Sequence, residues 1–96
     1  MGAQKLSDAK LTAALKGLPG WSVADGKLRR VFGFKDFSAA FAFMTQVALA
    51  AEKMDHHPDW SNSWNKVTVE LVTHSAGGLT ANDTALARRM NEIYSA

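Results

Sequence analysis

The side chains best suited to proton-transfer chemistry in this chain are its three histidines, His56, His57 and His74. The first two stand together in the stretch EKMDHHPDWSNSW, Glu52 to Trp64, which also carries the carboxylates Glu52, Asp55 and Asp59 and the rings Trp60 and Trp64. Imidazole, with an unperturbed pKa of about 6.5, exchanges protons near neutral pH, so general acid–base catalysis suits such a cluster. Zinc could take three imidazole nitrogens and keep an open position for water. That signal is weak, because adjacent histidines rarely reach one ion without contorting the backbone and no H-x-x-x-H spacing occurs. Nucleophilic catalysis has the poorest support: there is no cysteine, and no serine sits in a nucleophile-elbow motif. No metal site is expected.

These residues can act together only if the fold gathers them. Ser7 reads as the N-cap of a first helix with Leu11, Ala14, Leu15 and Leu18 on one face, closed by Gly17 and Pro19-Gly20. Two strands follow around Asp25-Gly26, a dipeptide that favours a tight hairpin turn, and Leu28, Phe32 and Phe34 mark a core-facing side. The longest helix is predicted from Asp36 as N-cap to about Met54. Phe37, Ala40, Phe41, Met44, Val47, Ala48 and Ala51, widened by Phe43, Ala50 and Met54, give it an apolar face over about half its circumference. Such a face fits either a well-buried helix or one that also meets a second subunit.

After Pro58 the period becomes two, with Trp60, Asn62 and Trp64, then Val67, Val69 and Leu71, on one side. Taking Asn65-Lys66 as the turn, Trp64 faces Val67, Asn62 faces Val69, Trp60 faces Leu71 and His57 comes opposite His74. All three histidines then converge at one end of the sheet, where the long helix also ends with Glu52 and Asp55. A last helix after Thr80 buries Leu86, Ala87, Met90, Ile93 and Tyr94, and Thr80-Ala81-Asn82-Asp83 reads as a capping box with Asp83 in the third position. The order is α-β-β-α-β-β-α, an α+β fold with a four-stranded antiparallel sheet and three helices packed on one face.

Composition narrows the classes. The 96 residues make one expected domain, residues 1–96, with 47% hydrophobic and 21% charged side chains, an ordinary globular balance. The formal charge is +2, but the basic residues are scattered singly or in pairs such as Arg29-Arg30 and Arg88-Arg89, without the dense stripe of a nucleic-acid binder. The start lacks the apolar run of a secretory signal, and no apolar stretch approaches a membrane span. A soluble cytoplasmic protein is expected, without direct nucleic-acid or membrane partners.

The spaced set Glu52-x-x-x-His56-His57-Pro58, an aromatic at Trp64, then His74 and Asp83, resembles the signature of the pterin-4a-carbinolamine dehydratases. The likeness extends to LPGW near the front, the run FKDFSAAFAFMTQVALAAEKMDHHPDW, and NKV, TH and GL-T-x-x-D after it. It implies an α+β fold of four strands and three helices. It also implies dehydration of a 4a-hydroxytetrahydropterin to the quinonoid dihydropterin, recycling the cofactor of aromatic amino acid hydroxylases. The pterin is then substrate, and no cofactor is expected. By the same resemblance His56 and His74 transfer protons and His57 chiefly binds the pterin, while Glu52, Asp55, Pro58, Thr73 and Asp83 surround the site. Trp21, Trp60 and Trp64 match an aromatic arch over it. Trp64 stands where one branch of the family has tyrosine, and Val72 where it has serine. From the broad apolar helix a homodimer or homotetramer is expected, and by the resemblance vertebrate relatives also act as dimerisation cofactors of a homeodomain transcription factor.

Overall fold

The computed structural model describes residues 3–96. Helix α1 (Asp8–Leu15) is capped by the Ser7 hydroxyl, which accepts from the Lys10 amide. It leads into a hairpin of β1 (Ser22–Ala24) and β2 (Lys27–Gly33). Asp25 and Gly26 make the turn with φ of 52° and 74°, the left-handed pair that matches strand twist in a two-residue hairpin. Helix α2 (Phe37–Met54) starts where the Asp36 carboxylate accepts from the Ala39 amide. A second hairpin, β3 (Asp59–Ser63) and β4 (Lys66–Leu71), is followed by a 3-10 turn (His74–Ala76) and helix α3 (Ala81–Ser95). The strands form one antiparallel sheet in the order β1-β2-β4-β3, as the α+β reading expected.

Strand period two decides which residues enter the core. Leu28 and Phe32 of β2 and Val67, Val69 and Leu71 of β4 are fully buried on the helix-facing side. They meet Ala40, Phe43, Val47 and Ala51 of α2 and Leu86, Ala87 and Met90 of α3, with Leu11, Leu15 and Trp60 packed at the margin. Only part of the broad apolar face of α2 is used: Phe37 and Phe41 remain 50% and 55% exposed.

The register of the second hairpin corrects the sequence reading. Trp60 faces Val69, Asn62 faces Val67 and Ser63 closes the pair with Lys66, so the turn residues are Trp64 and Asn65, not Asn65 and Lys66. Side chains hold the turn there. Asn62 donates from Nδ2 to the carbonyls of Trp64 (3.0 Å) and Lys66 (2.9 Å), and Asn65 donates to the Phe34 carbonyl at the end of β2 (2.8 Å). The shift moves every partner by two positions, which preserves the faces that a one-residue slip would have exchanged. It removes the expected pairing of His57 with His74, since β3 begins at Asp59 and His74 lies in the 3-10 turn.

The far end of α3 is tied down by a polar knot. Asn91 accepts at Oδ1 from Trp21 Nε1 (2.8 Å) and from Arg30 (2.6 Å), and its own amide donates to the Pro19 carbonyl (3.1 Å). Arg30 sits on the core-facing side of β2, yet its guanidinium lies over the rings of Phe32 and Tyr94 at 4.4 and 5.0 Å and also donates to Pro19. Such stacking suits the flat, weakly hydrated guanidinium. Gly20, at φ 86°, leaves the space: a Cβ there would stand 2.5 Å from the guanidinium carbon.

Candidate active site

The site begins with how α2 ends. Asp55 adopts the left-handed conformation (φ 53°, ψ 40°), and the amides of Asp55 and His56 close back on the carbonyls of Glu52 and Ala51 at 3.1 Å each. This helix-ending bend uses up orphan carbonyls and turns the chain sharply. Asp55 therefore serves as the bend itself, with an exposed side chain. Beyond it His56 points inward and His57 folds back, its Nε2 2.9 Å from Glu52 Oε1 on the open surface. Pro58, with no amide hydrogen to donate, precedes the first paired residue of β3.

His56 meets the start of α3. Its Nε2 lies 2.6 Å from Oδ1 of Asp83, and the side chains are 11% and 0% exposed. The other carboxylate oxygen, Oδ2, accepts from the Thr73 hydroxyl (2.8 Å) and from the Thr80 amide (2.9 Å). Thr73 and Thr80 share a further bond of 2.8 Å between their hydroxyls. The capping box read in the sequence is formed, and the same carboxylate that caps α3 also holds the imidazole. An ionised carboxylate only accepts, so three donors around Asp83 satisfy it without competition. Among the described residues no buried side-chain polar atom lacks a partner.

His74 follows Thr73 directly. The Thr73 backbone is bridged to Gly78, with its amide 3.0 Å from the Gly78 carbonyl, and this closes the loop that carries the 3-10 turn. His74 is exposed, and its Nε2 approaches Oδ2 of Asp59 at 3.9 Å. The histidines thus reach the same end of the sheet by a route other than strand pairing. Asp83 links His56 to the residue before His74, and Asp59 links His74 to the strand that begins two residues after His57. Each imidazole faces its own carboxylate, and among the described residues no three His, Asp or Glu side chains gather as a metal-ligand set.

The tryptophans occupy three different settings. Trp21 is buried at 7% exposure, edge-on to Phe32 with ring centroids 5.8 Å apart, and its N–H is given to Asn91. Trp60 is half-buried on the core side of β3. Trp64 is 67% exposed at the hairpin turn, with φ 48°. Sequence reasoning missed Thr80 as a partner of the site, although the capping box fixed its place. It also missed the approach of Asp59 to His74, which no local pattern announces.

A model of the pterin 4 alpha carbinolamine dehydratase family matches residues 4–93. The chain belongs to this family. A relative from Mesorhizobium japonicum, provisionally named pterin-4-alpha-carbinolamine dehydratase, is 59% identical over 96 residues, covering 98% of this chain and 98% of its own. Another of the same provisional name, from Afipia carboxidovorans, is 58% identical over 90 residues, covering 92% of this chain and 90% of its own. The crystal structure of a transcriptional coactivator/pterin dehydratase from Brucella melitensis superposes with a TM-score of 0.91 at 49% identity, over 95% of this chain and 99% of that one. Family, element order and sheet agree with the resemblance that the spaced histidine set implied. Among the described residues no helix is long and apolar enough to cross a membrane.

Proposed function

We propose that the protein dehydrates a 4a-hydroxytetrahydropterin to the quinonoid dihydropterin by histidine acid–base catalysis, recycling the tetrahydrobiopterin-type cofactor of aromatic amino acid hydroxylases. The observation that carries this reading is the imidazole of His56, held by a buried carboxylate next to the turn that presents His74. One histidine protonates the 4a hydroxyl as the C4a–O bond breaks, and the other takes the N5 proton as the N5–C4a double bond forms. Water leaves, both histidines return to their starting states by proton exchange with solvent, and no electrons are gained or lost. His57 and Glu52, exposed beside His56, are the proposed contacts for the pterin's polar edge, with Asp55 and Pro58 shaping that rim. Trp60 and Trp64 offer ring faces, whereas Trp21 acts as a core residue with its N–H already committed. The test is a stopped assay with freshly made 4a-hydroxytetrahydropterin against the uncatalysed rate. A positioned proton-transfer group contributes about 10²–10⁴-fold. His74→Ala is expected to lose at least about tenfold in turnover, and a folded His56→Ala, His74→Ala double variant at least about a hundredfold. Near-normal turnover in the double variant would refute the assignment.

A second reading, a protein-interaction role for α2, is favoured by the exposure of Phe37 and Phe41. The Brucella neighbour's description as a coactivator points the same way. Association of this chain with itself, as a homodimer or homotetramer, is the simplest form of it. Light scattering coupled to size exclusion decides, and a monomer across micromolar concentrations would remove the reading.

A further inference from the structure

Resting on the dehydratase reading, we propose that Thr73 and Thr80 are positioning residues that set which nitrogen of His56 works. The hydrogens in this network can be assigned from donor capacity alone. Asp83 accepts at Oδ2 from the Thr73 hydroxyl, so that hydroxyl's single hydrogen is spent on the carboxylate. The Thr73–Thr80 contact must then run from Thr80 to Thr73. Thr80 in turn accepts from the Asn82 amide (3.2 Å), which fixes the beginning of the chain. The order is Asn82 amide to Thr80, Thr80 to Thr73, Thr73 to Asp83 Oδ2, with the Thr80 amide adding a second donor there.

The other oxygen, Oδ1, is left to accept from His56 Nε2. That nitrogen keeps its hydrogen whether the ring is neutral or charged. Nδ1 is the ring nitrogen that Asp83 does not engage, so the proton exchanged with substrate passes through Nδ1. Were Thr73 unable to donate, the carboxylate would lose one of the two side-chain bonds that hold its plane, and His56 would lose its fixed tautomer. The backbone of the same residue closes the turn bearing His74, because the Thr73 main chain is bridged to Gly78. Thr73 therefore serves both histidines, His56 through its hydroxyl and His74 through its backbone. Its role is support, as the hydroxyl hydrogen is unavailable to a ligand.

The experiment is long-range ¹H–¹⁵N correlation of the histidine side chains in the full-length protein without substrate, with Thr73→Val and Thr73→Ser beside it. For the wild type, a hydrogen on His56 Nε2 is expected, with Nδ1 the nitrogen that gains and loses one. Thr73→Val should give a mixed or exchange-broadened His56 tautomer and about a tenfold fall in kcat, the scale of one bond to a charged acceptor. KM should move less than about twofold, since the Thr73 hydroxyl bonds Asp83 and Thr80 and is not a proposed substrate contact. Thr73→Ser should restore both signals, and Thr80→Ser should behave like wild type. A wild-type His56 protonated at Nδ1 and bare at Nε2 overturns the proposal without any variant being needed. So does a folded Thr73→Val protein with unchanged tautomer and unchanged kcat. The tautomer is read without pterin, so absence of dehydratase activity would count against the functional reading and leave this measurement decisive for the hydroxyl chain.

Discussion

The two ends of α3 carry polar knots built on similar principles to different ends. At its start, Asp83 collects the Thr73 hydroxyl, the Thr80 amide and His56; eight residues later Asn91 collects Trp21 and Arg30 and gives its amide to Pro19. At about 1.5 Å per residue the two centres are about 12 Å apart along the helix. Both satisfy their buried polar groups, so satisfaction alone does not identify a site. What differs is whether anything in the knot can change protonation near neutral pH. Arginine, tryptophan and asparagine do not titrate there, so the Asn91 knot fastens loop, strand and helix together. The Asp83 knot contains an imidazole with one nitrogen outside the network. Under the proposed function, it is this one ring nitrogen left free in an otherwise closed arrangement that sets the Asp83 knot apart from the Asn91 knot.

Substitutions at the two knots should separate these roles. The largest effect is expected from Asp83→Asn. An amide offers one acceptor and one donor group to three incoming donors, so either Thr73 and Thr80 or His56 faces a repulsive N–H. Turnover should fall about a hundredfold, within the range of a misplaced acid–base group. A loss under about threefold in folded protein would place the chemistry elsewhere. Next in size is Asn91→Ala, which strands the buried Trp21 N–H and takes one bond from Arg30. It should cost about 2 kcal/mol in urea unfolding, with turnover per folded molecule unchanged. If turnover fell with stability intact, the far knot would belong to the site after all. Gly20→Ala should be comparable or slightly milder, about 1–2 kcal/mol, because alanine is strained at φ 86° and its Cβ meets Arg30. The smallest is Trp64→Gly. Relief of a left-handed tryptophan should raise stability by about 0.5–1 kcal/mol. A rise in KM in that variant would mark the exposed ring as a substrate contact, and an unchanged KM would release it from that role.

Much of the frame was legible because local chemistry sets it. Asp36 as a cap, the end of α2 at Met54, the Asp25-Gly26 turn and the capping box of α3 all depend on residues within a few positions of one another. The second hairpin was misread by two positions because its turn is chosen at a distance. Asn65 is tied to the end of β2, and this helps place Trp64 in a conformation that local preference would assign to glycine or asparagine. Alternation along β2 gave the buried side correctly and puts Arg30 on it, but could not tell that its guanidinium stacks on aromatic rings supplied by its own strand and by α3. The site shows the same division. The spacing of His56, His74 and Asp83 carried the family resemblance, and a cap at Asp83 was readable. That one carboxylate does both jobs is a meeting of α2's end with α3's start, which spacing does not encode.

The most direct test compares the two knots in one assay: dehydration of 4a-hydroxytetrahydropterin by Asp83→Asn and by Asn91→Ala, each normalised to its folded fraction. The predicted result is a loss of about a hundredfold for Asp83→Asn and wild-type turnover for Asn91→Ala. Equal turnover in the two variants, whether both retained or both lost, would contradict the assignment of chemistry to the start of α3.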